Sequence, residues 1–231
     1  MSEFKIRCSQ IGQIMSNDRT GKKMGKTAET YLQLWLKSKM YNRQIEIKSK
    51  YLDKGNITES DSIDFIGKKL GLNLVKNEKH FTNDFFTGTP DIFEPLEKPE
   101  LVIDVKNSWD WTTFPLLEKE IPNQDYYDQL QGYMYLTGAN KAKLIYILSD
   151  TPEELIERES MYYSKKQGML ELNKETFDKF NAKMTYSDCP DHLKFRVFDI
   201  EYDIERIEAI KLRVLECRKY LKENFNYPNN G

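Results

Sequence analysis

Residues 88–106 read GTPDIFEPLEKPELVIDVK, and the six at its end, LVIDVK, decide how the rest of the chain is arranged. Leu101, Val102, Ile103 and Val105 surround one charge, Asp104. A short, β-branched apolar run of this kind reads as a strand buried on both faces. Side chains alternate along a strand, so Asp104 and Lys106 leave it on the same face. Upstream, Asp91 follows Gly88 and Pro90, where a tight backbone can turn its carboxylate inward.

Working outward, Val75–Phe81 and Phe85–Phe93 predict a hairpin turning near Asn83-Asp84. Before it, residues 8–16 predict a short helix with Ser9 as its N-cap. Asn17 to Lys26 is a polar, basic loop. Thr27 to Met40 predicts a helix with Tyr31, Leu32, Leu34, Trp35 and Leu36 as its apolar face. A longer helix spans Tyr51 to Leu70, with Ile57, Ile63, Phe65, Ile66 and Leu70 on one side and Gly71 as its stop. After LVIDVK comes a helix over Asn123 to Thr137, closed by Gly138, with Tyr126, Leu130, Tyr133 and Met134 on one face. A second apolar strand follows at Lys143–Leu148, then a helix start at Thr151-Pro152-Glu153-Glu154. Phe195–Ile200 reads as an edge strand and Glu201–Asn224 as a long closing helix. The order predicts an α/β fold, a mixed central β-sheet flanked by helices, as one domain over residues 1–225 with a flexible tail at 226–231.

Composition narrows the class. With 231 residues and 39% hydrophobic content the chain has enough apolar mass for a sizeable core. No run of eighteen apolar residues marks a membrane span, and MSEFKIRCSQIG has no signal-peptide core. Cys8, Cys189 and Cys217 are too few and too scattered for a disulfide framework or a zinc site, which implies a reducing, cytoplasmic setting. The formal charge of -2 argues against a protein that coats nucleic acid. It hides an asymmetry, however. Residues 1–75 hold 14 Lys+Arg against 8 Asp+Glu, leaving 21 against 29 for the remainder, so the N-terminal third is basic enough to face phosphates.

A carboxylate inside LVIDV is costly to bury ionised unless it is paired or bound to a metal. Asp91 and Asp104, with the main-chain carbonyl of Val105, form an oxygen donor set suited to Mg²⁺, with Mn²⁺ as a substitute. Such an ion activates water and polarises a phosphodiester. Lys106 beside it would orient the water, help its deprotonation, or offset the charge that develops on phosphorus. Glu59 in KGNITES and the pair Gln129 and Gln131 in YYDQLQGYMYLTG are further candidates to reach the site. Arg19, Lys22 and Lys23 in the glycine-containing loop are candidate phosphate contacts, and Trp109, Trp111 and Phe114 in NSWDWTTF are candidates to stack on a terminal base.

The ordered set Glu, Pro-Asp, Asp-x-Lys, Gln-x-Gln-x-x-Met resembles the PD-(D/E)xK nuclease superfamily. Within it, the chain looks most like the phage lambda exonuclease and YqaJ-like viral recombinase branch. The resemblance runs from Ile6 to Gly138, through IRCSQIGQIM, GKKMGKTAETYLQLWL, KGNITE, GTPD, IDVKNS and YYDQLQGYMYLTG. It implies a restriction-endonuclease-like core and a Mg²⁺-dependent DNA exonuclease acting on duplex ends in phage-type recombination. By the same resemblance Asp91, Asp104 and the Val105 carbonyl hold the metal. Lys106 is the catalytic lysine, Glu59 the helix carboxylate, Gln131 the motif glutamine, and Ser9 the serine that helps bind a terminal 5′ phosphate. The branch's usual second acid is Glu, and here it is Asp104. A homo-oligomeric ring and a single-strand annealing partner are further implied partners beside DNA. The iron–sulfur nucleases of the same fold use four cysteines, so no iron–sulfur cluster is expected with three dispersed ones. An endonuclease of the same superfamily and a non-catalytic DNA-binding protein stay open as alternatives.

Overall fold

The computed structural model describes residues 3–21, 23–45, 49–94 and 100–227, and Lys22 lies outside the described residues. The LVIDVK segment becomes β5 (Leu101–Asn107). Its neighbours are β4 (Ile92–Glu94), antiparallel on one side, and β6 (Lys141–Ile147), parallel on the other. β7 (Phe195–Glu201) closes the order β4-β5-β6-β7 as an antiparallel edge strand. Parallel neighbours need a crossover, which α4 (Gln124–Thr137) provides between β5 and β6.

The two faces of β5 explain its composition. Val102 points to one face, where Ala142, Leu144, Tyr146, Phe198 and Ile200 meet Leu130, Tyr133 and Met134 of α4. There they also meet Ile207, Ile210 and Val214 of α7 (Ile204–Phe225). Ile103 and Val105 point to the other face, with Ile145 and Ile147, beneath Ile63 and Ile66 of α3 (Lys50–Leu70). A strand covered twice can be apolar throughout. Asp104, on the α4 face, is the exception.

A smaller sheet in the order β1-β3-β2 joins β1 (Ile6–Arg7), β2 (Phe81–Thr82) and β3 (Phe86–Gly88). α1 (Ile11–Met15) and α2 (Lys26–Met40) pack nearby, and α5 (Glu153–Lys166) and α6 (Lys174–Met184) sit after β6. Helix ends follow local chemistry. Ser49, Asn123 and Asp203 accept backbone N–H bonds at the starts of α3, α4 and α7, and Gly71 and Gly138 stop α3 and α4 at φ of 67° and 79°. No helix among the described residues is long and apolar enough to cross a membrane.

Four expectations need correction. The hairpin is shorter than predicted: the turn at Asn83-Asp84 joins only Phe81–Thr82 to Phe86–Gly88. Residues 72–80 form no strand, because Asn77 makes the bonds there instead, donating its side-chain amide to Pro90 O (2.8 Å) and Lys79 O (3.0 Å). Pro90, with no N–H to offer a ladder, separates β3 from β4, so the predicted second strand is divided between two sheets. Ser9 is not an N-cap: it lies exposed within a 3₁₀ turn over Cys8–Gln10, and neither that turn nor α1 has a side-chain cap. Ile57 and Leu34, placed on buried faces by periodicity, are exposed, and α3 buries Lys54, Thr58 and Ser62 beside Ile63 and Ile66. Tyr227, expected in the flexible tail, is buried and meets the Trp35 ring edge-on at 5.5 Å, while residues 228–231 lie outside the described residues.

Candidate active site

The ladder between β4 and β5 ends at the pair Ile92↔Ile103. Beyond it, the N–H of Val105 turns to a side chain and donates to Asp91 Oδ2 at 2.9 Å. The N–H and C=O of one strand residue point the same way, so the Val105 carbonyl faces the Asp91 side as well. The main chain at Asp91 is fixed in turn, its carbonyl accepting from the Asn77 N–H at 2.7 Å.

Asp104 is 1% exposed. Its Oδ1 accepts from Gln129 Nε2 at 2.9 Å, and its Oδ2 lies 2.6 Å from Lys106 Nζ. That ion pair is the contact of Oδ2, which has no hydrogen bond of good geometry among the described residues. Gln129 Nε2 also donates to the Tyr133 hydroxyl at 3.2 Å. Lys106 Nζ rests 4.9 Å from the centre of the Tyr126 ring. Burial pulls the Lys106 ammonium down, but Asp104 and Asp91 more than offset this and hold it above its ordinary value. Burial raises the Asp91 carboxyl to about 7, and the charge of Asp104 adds to the rise. Lys106 and the Val105 N–H oppose it, and Glu59 adds a smaller push upward.

A buried carboxylate, Asp104, and a half-buried one, Asp91, close enough to repel one another are short of positive charge. A divalent cation fits the donor set: two carboxylates, a main-chain carbonyl, and an Asp104 oxygen with lone pairs to spare. Among the described residues no group of three or more His, Cys, Asp or Glu side chains could hold an ion alone. The remaining positions would fall to water and phosphate, the usual pattern for Mg²⁺.

Glycines bring α4 to this place. A Cβ at Gly88, in GTPD, would stand 2.7 Å from Tyr133 Cε1, and one at Gly132 would stand 2.8 Å from Ile11 Cδ1 and 2.9 Å from Cys8 Sγ. The contact leaves no room for a methyl group.

Asp91, Asp104, Val105, Lys106 and Gln129 come together. Glu59 sits at the rim, close enough to act on Asp91, with its carboxylate 2.5 Å from Lys76 Nζ. Gln131 does not join them. It is fully buried, donates to Glu201 O and accepts from Asp203 N, both at 2.8 Å, and so ties α4 to the start of α7. Residues two apart on a helix are roughly 200° apart around it, so the two glutamines face opposite ways. The apolar face predicted for this helix, with Tyr126, Leu130 and Tyr133, already pointed to Gln129. Sequence reasoning missed Asp128, which is 1% exposed and paired through both oxygens with Arg206 (2.7 and 2.6 Å).

Trp109 is not available for stacking on a base. It is buried with Leu155, Ile156 and Met184, and Lys50 Nζ lies 4.4 Å over its ring. Trp111 is the exposed indole of that loop. Ser9 is exposed and is not hydrogen-bonded to either carboxylate. Arg19 and Lys23 are exposed on the loop at residues 17–25, where Asn17 and Met24 form a bridge and Asp18 Oδ1 accepts from the backbone of Thr20 and Lys23. Arg213 of α7 anchors this loop through Ser16 O.

No protein-family model and no curated protein matches the sequence. Solved structures do. A phage-related exonuclease from Haemophilus somnus 129PT is 26% identical with a TM-score of 0.75, over 96% of this chain and 95% of that one. An alkaline exonuclease from Laribacter hongkongensis is 16% identical with a TM-score of 0.64, over 96% and 90% of the two chains. The same enzyme in complex with dAMP is 17% identical with a TM-score of 0.63. The mixed sheet and the likeness to exonucleases over 96% of the chain agree with the resemblance to the PD-(D/E)xK nuclease superfamily carried by the motifs. The likeness to the phage-related exonuclease supports the resemblance to the lambda exonuclease and YqaJ-like branch.

Proposed function

We propose that the protein is a divalent-cation-dependent DNA exonuclease, using Mg²⁺ or in its place Mn²⁺, that hydrolyses phosphodiester bonds at duplex ends in phage-type DNA processing. The observation that carries this reading is the convergence of Asp91, Asp104 and Lys106 at the edge where the β4–β5 ladder stops. Asp91, Asp104 and the Val105 carbonyl would hold the ion. Once bound, Mg²⁺ lowers the pKa of a water and polarises the scissile phosphate. Gln129 keeps the Asp104 carboxylate in one orientation through Oδ1, leaving Oδ2 directed into the site. Lys106, charged and aimed from the same strand face, would stabilise negative charge as it grows on the phosphoryl oxygens. Glu59 at the rim would orient water on the α3 side of Asp91.

End-labelled linear duplex and closed circular duplex, each incubated with Mg²⁺ and with EDTA, test the proposal. Mononucleotide release from the linear DNA alone, abolished by EDTA, is the expected result. Nicking of the circles would instead make the protein an endonuclease of the same superfamily. Equal rates on 5′-phosphoryl and 5′-hydroxyl ends would remove the 5′-phosphate role assigned to Ser9.

A further inference from the structure

The ion pair of Asp104 and Lys106 is flanked by one face of α4. Gln129 holds the carboxylate at Oδ1, and Tyr126, three residues earlier, lies against the ammonium at 4.9 Å. Tyr126 is itself braced. Its ring lies 6.1 Å from Tyr146, the β6 partner of Lys106 in the ladder, and Tyr146 meets Phe198 of β7 edge-on at 6.0 Å. Three rings thus cross the sheet from the lysine to the edge strand.

This arrangement answers a difficulty in the proposed chemistry. Asp104 cannot be both a metal ligand and the sole partner of Lys106, since its Oδ2 now lies 2.6 Å from the ammonium. A lysine released from its carboxylate has four rotatable bonds and nothing to aim it. The face of an aromatic ring attracts an ammonium without competing for the carboxylate. We propose that Tyr126 is a positioning residue that keeps Lys106 over the scissile phosphate by a cation–π contact when Asp104 turns to the cation. The proposal rests on the reading of Lys106 as the group that faces phosphate. The tyrosine hydroxyl has no part in it, so phenylalanine should serve as well.

The test compares the wild type with Tyr126→Phe and Tyr126→Leu, by two readouts. In metal-free protein, NMR reads the ring-current shift on the Lys106 ε-methylene protons. In Mg²⁺, steady-state cleavage of linear duplex reads kcat and KM. Tyr126→Leu should lose the upfield shift and lower kcat about tenfold at unchanged KM, the factor that about 1.4 kcal/mol of cation–π attraction provides. Tyr126→Phe should keep both. Lys106 protons unshifted in the wild type, or a kcat for Tyr126→Leu within twofold of wild type, would overturn the proposal. A fall in kcat shared equally by the phenylalanine variant would do the same, because it would assign the effect to the hydroxyl. If the wild type cleaves no DNA, the nuclease reading fails by itself, and the metal-free spectrum still decides whether Tyr126 holds Lys106.

Discussion

Arg206→Ala should destabilise the protein far more than the loss of a surface ion pair. Asp128 is 1% exposed at its side chain and Arg206 is 27% exposed. Both carboxylate oxygens are taken by the guanidinium, at 2.7 and 2.6 Å, with Gln124 adding one bond of 3.1 Å to Oδ1. Removing the arginine leaves a buried carboxylate with one neutral donor. Breaking a buried pair from one side costs about 3–5 kcal/mol, and the partial exposure of Arg206 lets water in, so the lower figure, about 3 kcal/mol, applies. For a chain of this size each kcal/mol lowers Tm by about 2–4 °C, so a drop of roughly 6–12 °C follows. Thermal unfolding by circular dichroism, with urea unfolding in parallel, measures it. Replacing both partners by leucine should recover most of the loss, because no charge is then left unpaired. A fall below about 2 °C for the single variant would refute the reasoning, as would a double variant no more stable than the single.

Three further predictions follow from the same packing and electrostatics. Gly132→Ala places a methyl group within 3 Å of Ile11 and Cys8 and should cost about 1–3 kcal/mol in urea unfolding; unchanged stability would contradict the close approach of α4. Lys54, fully buried and bonded to Trp109 O and Ser149 O, is held down to about 8 by burial, with Asp110 and Asp150 opposing. Its folded pKa lies below its unfolded one, so the cost of burying the charge is complete below pH 8 and is relieved as pH rises towards about 10.4. Wild type should therefore gain stability relative to Lys54→Met over that window, and a constant difference at pH 7 and pH 10 would count against it. Asp91 titrates at about 7 and must lose its proton to bind a cation. Calorimetric Mn²⁺ affinity should thus climb with pH up to about 7 and level off above it, whereas a flat affinity between pH 5.5 and 8 would exclude Asp91 as a ligand.

How much of this was legible in the sequence depends on the range of the forces involved. LVIDVK declared both its burial and its chemistry, since a lone carboxylate in a two-faced apolar strand has few uses, and period-two alternation puts Asp104 and Lys106 on one face. Helix stops at Gly71 and Gly138 were equally local. Trp109 was not legible, because its burial depends on Leu155, Ile156 and Met184, which arrive from two helices much later in the chain. The choice between Gln129 and Gln131 was legible in principle, from the helical wheel that already grouped Tyr126 with Tyr133. Asp128 and Arg206 are separated by 78 residues, and nothing in either neighbourhood announces the pair. The hairpin is shorter than expected because nothing local in VKNEKH reveals that the Asn77 side chain takes the bonds a ladder would have made.

A metal-dependent phosphodiesterase site formed by Asp91, Asp104 and Lys106 stands or falls on Lys106→Ala, assayed for cleavage of end-labelled linear duplex in Mg²⁺ with DNA binding measured on the same preparation. Cleavage should be lost and binding retained. Cleavage at the wild-type rate would contradict this assignment.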